Sequence, residues 1–284
     1  MNQYLNSFLQ SQVLSEPIQV DAFASVFKFL APLDLETDMI QEFSQSFEMV
    51  EFQLGETVFN YLPDVEYGAV IDSDRLPSDD PPSDSLQEVH AEDSLYLVCQ
   101  GQVRLLSIDP QQQREISVQV LGMGESFGFA PLFCKMQCGY RAVAASPVQV
   151  AKLSITTLQE WLNRIPSMKP MLTREASARD CLMFLKTRTA FRKFPSKQFQ
   201  PLLPYISEVH LPAGTAIAKA LGRQPDYFWL YRGVIEAQNS GLTLPLGTGW
   251  GYSDPIPDEW VAQTDVVLYK LPLDQSQTVI DLLQ

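Results

Sequence analysis

Apolar and polar residues alternate through Val50-Glu-Phe52-Gln-Leu54 and break at a turn around Gly55. Val209-His-Leu211 runs into Gly214 in the same way, 159 positions later. A nearly continuous apolar run, Leu95-Tyr-Leu-Val-Cys-Gln-Gly101, is echoed by Tyr227-Phe-Trp-Leu-Tyr-Arg-Gly233 at an offset of 132. Leu121-Gly-Met-Gly124 is matched with Leu246-Gly-Thr-Gly249 at 125, and Val148-Gln-Val-Ala-Lys-Leu153 with Val266-Val-Leu-Tyr-Lys-Leu271 at 118. Period-two alternation and short apolar runs bounded by glycine predict β-strands. Around them the spacing changes. Phe23, Val26, Phe27 and Leu30 fall at i, i+3, i+4 and i+7, as do Leu158, Trp161, Leu162 and Ile165, which predicts helices. A further helical stretch follows Asp34 and runs through Ile40 and Phe43; Phe194-Pro-Ser196 followed by Phe199, Leu202 and Leu203 mirrors it.

Four blocks recurring in one order mark a tandem duplication. Each copy reads as short helices, about eight strands and a closing helix, the pattern of a jelly roll. The predicted fold class is mainly β with flanking α-helices, arranged as two tandem jelly-roll domains. Residues 1–19 read as an N-terminal extension, 20–172 as the first domain, and 173–284 as a second, degenerate domain that includes basic connector helices. The fall in offset from 159 to 132 places 27 extra residues between Phe59 and Leu95 in the first copy.

Charge is distributed unevenly. The 284-residue chain carries a net charge of −14, and Pro63 to Asp93 alone hold ten acidic residues against Arg75. This proline-rich insert, about residues 62–93, cannot offset its ordering entropy by burial and is expected to be a mobile, solvated loop, with docking on a basic partner as the other reading. From Arg164 to Lys197 nine Lys and Arg face only Glu175 and Asp180. A solvent-facing connector helix is the favoured reading of that stretch; phosphates, an anionic membrane surface or the acidic loop are the alternatives. The overall acidity argues against DNA. With 45% hydrophobic residues the chain builds a proper core, yet no apolar run approaches the roughly 20 residues of a membrane span. No secretory signal is evident, and Cys99, Cys134, Cys138 and Cys181 do not make a disulfide framework, so a reducing cytoplasm is expected.

The order helix, Leu54-Gly55-Glu-Thr-Val-Phe59, Leu95 to Val103, Leu121-Gly-Met-Gly124-Glu-Ser-Phe127-Gly128, Val148 to Leu153, helix resembles the cyclic-nucleotide-binding domain family, the effector domains of catabolite-activator-type regulators, cyclic-nucleotide-gated channels and kinase regulatory subunits. The resemblance covers roughly Val20 to Leu172 and, more weakly, Ala176 to Leu283. A narrower pattern, Phe127-Gly128, Leu132-Phe133 and Tyr140-Arg-Ala142 together with the acidic insertion, looks like the N-terminal cytoplasmic regions of cyanobacterial peptidase-containing ABC exporters. There a cysteine-peptidase domain, a membrane domain and an ATPase follow. This chain has no Gly-x-x-x-x-Gly-Lys-Ser/Thr loop, so it is expected to be a fragment of such a protein, at the inner face of the membrane.

The resemblance also locates a candidate site. In the family a cassette after the Phe-Gly turn holds the nucleotide through a glutamate on the ribose and an arginine on the phosphate. Here Phe129 follows Gly128, and the arginine position falls on Cys138. A desolvated phosphate without its cation is strongly disfavoured. The remaining candidate ligand-binding set is Gly128, Phe129, Arg141 and Ala142, with Arg141 as anion contact and Phe129 stacking on a base. In the competing reading Arg141 pairs at a strand end and Phe129 fills the ribose space. The second copy's cassette is shorter, 12 residues between Gly251 and Thr264 against 17 between Gly128 and Ser146, and is expected to plug its own cavity.

Neither His90 nor His210 neighbours a nucleophile pattern, and Cys134 and Cys138 read as packing residues, so no catalytic residue, metal site or cofactor is expected. The expected function is a non-catalytic regulatory or scaffolding module. Its partner is the rest of a membrane exporter or another copy of itself. A sensor binding a cyclic nucleotide or cyclic dinucleotide in the first domain is the alternative, and a metal-dependent enzyme of cupin type is a third class. The resemblance further implies that the closing helix, around Leu158 to Ile165, relays contacts made at the cassette.

Overall fold

The computed structural model describes residues 17–62, 94–134, 136–222, 226–251, 256 and 259–272. The predicted acidic insert, apart from Leu62, the N-terminal extension to residue 16 and the second copy's closing helix lie outside the described residues. The chain forms two compact units, one drawn from Met1–Leu106 and Gln119–Ala176, the other from Ser107–Val118 and Ser177–Gln284.

The first jelly roll has eight strands: β1 (Glu48–Phe52), β2 (Thr57–Tyr61), β3 (Ser94–Gln100), β4 (Val103–Asp109), β5 (Arg114–Leu121), β6 (Ser126–Phe127), β7 (Tyr140–Ala144) and β8 (Val148–Ser154). They form two four-stranded sheets in the orders β1-β8-β3-β6 and β2-β7-β4-β5. This interleaving of two Greek keys is the jelly-roll order. Strand β3 is buried on both faces: its inner residues meet the second sheet, and the helix Pro17–Leu30 packs against it. That helix buries Phe23, Val26 and Leu30, the periodic positions, while Phe27 is half-buried. The closing helix Ile155–Arg164 is N-capped by Ser154, whose hydroxyl accepts from the Thr157 amide at 3.1 Å. It buries Leu158 and Trp161.

The second jelly roll repeats this plan with less sheet. Strands β9 (Ser207–Leu211), β10 (Tyr227–Arg232), β12 (Gly249–Trp250) and β14 (Val266–Leu271) form a sheet of order β12-β10-β14-β9, the counterpart of β6-β3-β8-β1. The opposing sheet is reduced to β11 (Ile235–Ala237) and β13 (Trp260–Ala262), flanked by two single bridges, Ala216 to Val261 and Glu236 to Thr243. Each bridge stands where a full edge strand stands in the first copy. Ile217, Phe228, Leu230, Ile235, Trp250, Ala262, Val266 and Leu268 form its core.

The duplication extends to individual hydrogen bonds. Gly55 N–H donates to Ala144 O at 2.9 Å, and Gly214 N–H to Ala262 O at 2.7 Å. Gln102 N–H donates to the Ser146 hydroxyl and Val234 N–H to the Thr264 hydroxyl, both at 3.0 Å. Val98 pairs with Val150 and Leu230 with Leu268, and the same irregularity follows each pair, with Gln100 opposite Gln149 and Arg232 opposite Val267. Gly101 and Gly233 both have positive φ, and a Cβ on either would meet a backbone carbonyl, Pro147 O at 2.3 Å or Asp265 O at 2.5 Å.

Three expectations are corrected. Gly124 N–H donates to Val98 O and Gly247 N–H to Leu230 O, each at 2.8 Å, so Gly124 corresponds to Gly247 and the third offset is 123 rather than 125. Against the expectation of about eight strands per copy, the described residues of the second copy hold no full counterpart of β2: after Gly214 the chain forms the short helix Ile217–Leu221. Its sequence, Ile-Ala-Lys-Ala-Leu, is made of good helix formers, and the buried Ile217 anchors it to the core. The connector is not solvent-facing along its length. Helix Met168–Arg188 is buried at every position from Arg179 to Thr187. Gly124 lies against the Lys28 side chain and Gly247 against Arg188, so the end of this helix occupies in the second copy the place of Pro17–Leu30 in the first. Its polar residues are accommodated individually. Asp180 accepts from the Tyr231 hydroxyl and, at 3.3 Å, from the Tyr269 hydroxyl, while Phe184 meets both rings edge-on. Lys186 donates to the carbonyls of Arg192 and Phe194. Desolvation lowers the Lys186 pKa from the usual lysine value.

Candidate functional site

The cassette joins β6 to β7 in the first jelly roll. It leaves the sheet at Gly128, whose φ of +90° and contact with β3 exclude a side chain: a Cβ would lie 2.3 Å from Ser94 O and 2.7 Å from the Tyr96 ring. Phe129 then caps a one-turn 3-10 helix, Ala130–Leu132, with Pro131 in its first turn. Amides of Leu132 and Phe133 close it at 3.0 Å each, and the Cys134 thiol donates to Ala130 O at 3.4 Å. The cassette is thus folded on its own backbone. Met136 and Cys138 are both 2% exposed. Cys138 is buried and Cys134 partly buried, and among the described residues no cluster of His, Cys, Asp or Glu is placed to hold a metal.

Aromatic groups fill the space beneath the cassette. Tyr96 and Phe127, opposite each other on β3 and β6, stack at 5.0 Å with 12° between planes. Phe59, from the facing sheet, lies 5.9 Å from the Tyr96 ring and 5.4 Å from that of Tyr140. Tyr140 and Tyr61 are 6.2 Å apart. The Tyr140 hydroxyl accepts the Gly128 N–H at 3.1 Å. Phe129 is fully buried and meets Phe133 edge-on at 5.9 Å.

The four candidate residues divide between two faces. Gly128 and Phe129 are buried at the root of the cassette, and Ala142 is buried on β7 beside Phe59. Side chains on a strand alternate, and β7 buries Tyr140, Ala142 and Ala144 while leaving Arg141 and Val143 half-buried. Arg141 therefore projects from the opposite face, where its Nη1 donates to the Thr57 hydroxyl at 3.1 Å. The structure does not bring Arg141 to Phe129.

Two participants escaped the sequence reading. Tyr140 is one; only the strand parity of Tyr140-Arg-Ala142 hints at its inward direction. Lys152 is the other. It pairs with Tyr96 across β3 and β8, shares that ring's face, and carries its ammonium 6.0 Å from the ring centroid. Its counterpart Lys270 is bound by Asp226 at 2.6 Å, and Ser94 stands where Asp226 does. The matched blocks Val148–Leu153 and Val266–Leu271 contained that signal.

Comparison with known proteins places residues 86–164 in a match to the family model described as Cyclic nucleotide-binding domain. The first jelly roll has that fold. No curated protein matches the chain. Among solved structures, cAMP-bound PfPKA-R (141–441) is similar at 16% identity over 94% of this chain and 86% of that one, with a TM-score of 0.37. The regulatory domain of Toxoplasma gondii PKA with cAMP is similar at 14% identity over 93% and 94%, TM-score 0.36. Thermus thermophilus catabolite activator protein is similar at 21% identity over 57% and 65%, TM-score 0.37.

Proposed function

We propose that the chain is a non-catalytic regulatory or scaffolding module of a larger assembly, working through protein contacts, with the nucleotide pocket of its first jelly roll degenerate. The carrying observation is the buried Phe129 at the root of the cassette, beside a Gly128 N–H already taken by the Tyr140 hydroxyl. A charged phosphate entering there would displace packed aromatic rings and, among the described residues, meet no guanidinium, since Arg141 lies on the other face. The domains are assigned as 20–172 and 173–284, and the larger assembly as an ABC-type peptide or protein exporter with this chain as its N-terminal cytoplasmic region. That context rests on the Phe127-Gly128, Leu132-Phe133 and Tyr140-Arg-Ala142 pattern. No helix among the described residues is long and apolar enough to cross a membrane, so the spans would be supplied by other parts of the assembly.

One observation favours a second reading, a sensor for a cyclic nucleotide or dinucleotide. Lys152 sits on the inner face, and among the described residues it lacks the acidic neighbour that binds Lys270. Titration calorimetry with cyclic AMP, cyclic GMP and cyclic di-GMP separates the readings. The scaffold reading expects no saturable heat with any of them at millimolar concentration. Saturable heat lost in Lys152→Ala or Arg141→Ala would replace it with the sensor. Reading the gene beyond Gln284 tests the exporter context, which requires peptidase, membrane and ATPase segments to follow.

A further inference from the structure

We infer that Tyr140 is the resident ligand of the first cassette: its phenol fills the space under Gly128 and its hydroxyl holds the cassette closed in the absence of any nucleotide. This deepens the proposed degenerate pocket and rests on that reading. Gly128 cannot turn its amide elsewhere. Its φ is +90°, a Cβ there would lie 2.3 Å from Ser94 O and 2.7 Å from the Tyr96 ring, and its N–H is a buried donor that needs an acceptor. Among the described residues around it, the rings of Phe59 and Phe127 offer none, and Tyr96 faces Gly128 with its ring carbons. Tyr140 supplies the acceptor at 3.1 Å from a side chain that is 2% exposed. Its ring is fixed between Phe59 at 5.4 Å and Tyr61 at 6.2 Å, so the hydroxyl is preorganised. The contact spans 12 residues and ties the two ends of the cassette to each other. An acceptor oxygen on a flat ring, enclosed by aromatic walls, is the chemistry of a bound ligand supplied here by the chain.

The chemical class that would replace it follows directly. A phenol without charge, such as p-cresol, reproduces the whole side chain beyond Cα. NMR-detected hydrogen exchange in the full chain provides the test. In Tyr140→Phe the Gly128 amide is expected to exchange about tenfold faster, the loss of one net hydrogen bond. The Gly124 amide, bonded to Val98 O at 2.8 Å, should stay unchanged. In Tyr140→Gly, p-cresol should bind saturably and return Gly128 protection to within about twofold of wild type. Toluene, which fills the space but lacks the hydroxyl, should leave it fast. Unchanged Gly128 exchange in Tyr140→Phe overturns the inference, as does a rise shared equally by Gly124. The Phe variant retains the ring and so decides the matter even if the Gly variant fails to fold. Saturable cyclic AMP binding by the wild type would instead overturn the scaffold reading, a separate result from a separate experiment.

Discussion

The indole N–H of Trp161 donates to the hydroxyl of Ser46 at 3.0 Å, fastening the closing helix to the end of the helix Thr37–Ser44. The same indole lies edge-on to Phe43 at 5.0 Å, and the Arg164 guanidinium covers it at 4.0 Å from the ring centre. These contacts separate cleanly by mutation. Trp161→Phe keeps a ring against Phe43 but removes the donor and part of the indole's bulk, and Ser46 still reaches Glu42 O at 3.4 Å. The expected loss is about 1–2 kcal/mol. Trp161→Ala also empties a side chain that is 4% exposed and should cost about 3–5 kcal/mol. Urea unfolding followed by far-ultraviolet circular dichroism measures both. Equal costs for the two variants would show that the ring kept against Phe43 does not carry the junction.

A pH dependence follows from the neighbouring ion pair. Arg164 donates through both terminal nitrogens to the two carboxylate oxygens of Glu42, each at 2.7 Å. That hydrogen bonding holds the Glu42 carboxyl below its ordinary value and raises Arg164. A depressed carboxyl pKa stabilises the folded state above the unfolded value, about 4.3 for glutamate, and the stabilisation is lost as pH falls through the folded value. Both groups are half-exposed, at 56% and 47%, so the effect is small and weakened by salt. The stability difference between wild type and Glu42→Gln should be greatest at neutral pH and disappear on acidification. A difference that persists in acid would mean that Glu42 acts through packing.

Turn glycines with positive φ offer an internally controlled comparison. Gly55 and Gly101 both have positive φ, 88° and 79°, but a Cβ on Gly55 meets nothing within 4 Å whereas one on Gly101 meets Pro147 O at 2.3 Å. Gly55→Ala should therefore cost only the backbone strain, about 1 kcal/mol. Gly101→Ala adds displacement of a carbonyl and should cost about 3 kcal/mol or more. Gly233→Ala, facing Asp265 O at 2.5 Å, should behave like Gly101→Ala within the second copy. Thermal and urea midpoints of the three variants are sufficient to check this ordering.

Much of this architecture is legible in the sequence because turn glycines and strand parity are local properties. Gly55, Gly101, Gly214 and Gly233 mark where the chain needs positive φ, and their spacing exposed the duplication. The error at the third block has the same root. Leu246-Gly-Thr-Gly249 offers two glycines, and only the bond from Gly247 to Leu230 O identifies the true counterpart of Gly124. The burial of the connector was hidden for a different reason. Arg179, Asp180, Lys186 and Thr187 give its second half the composition of a wet helix, while their environment comes from residues far along the chain, Tyr231 and Tyr269 for Asp180. At the candidate site, Gly128 and Phe129 were recognisable from their place after the Phe-Gly turn. The direction of Arg141 depended on where β7 begins, a one-residue question that alternation alone leaves open.

The buried carboxylate in the second copy makes a prediction at the alkaline end. Burial, and then the charge of Asp180, push the Tyr231 and Tyr269 hydroxyls far above the usual tyrosine range. Each is a donor to Asp180, so ionising either would place two negative charges together in the interior. A raised phenol pKa contributes stability that is complete below the unfolded value, about 10, and is lost as pH climbs from there toward the folded value. In a spectrophotometric titration two of the ten tyrosines should therefore remain protonated until the second jelly roll unfolds, then ionise together with that transition. Tyr231→Phe removes the donor closest to Asp180 and should lower stability at neutral pH by about 1–3 kcal/mol, because a buried carboxylate loses a partner. The alkaline transition then has one fewer tyrosine to ionise and becomes less steep with pH. Two phenols titrating with ordinary exposed tyrosines while the fold persists would show that the Asp180 cluster is open to water.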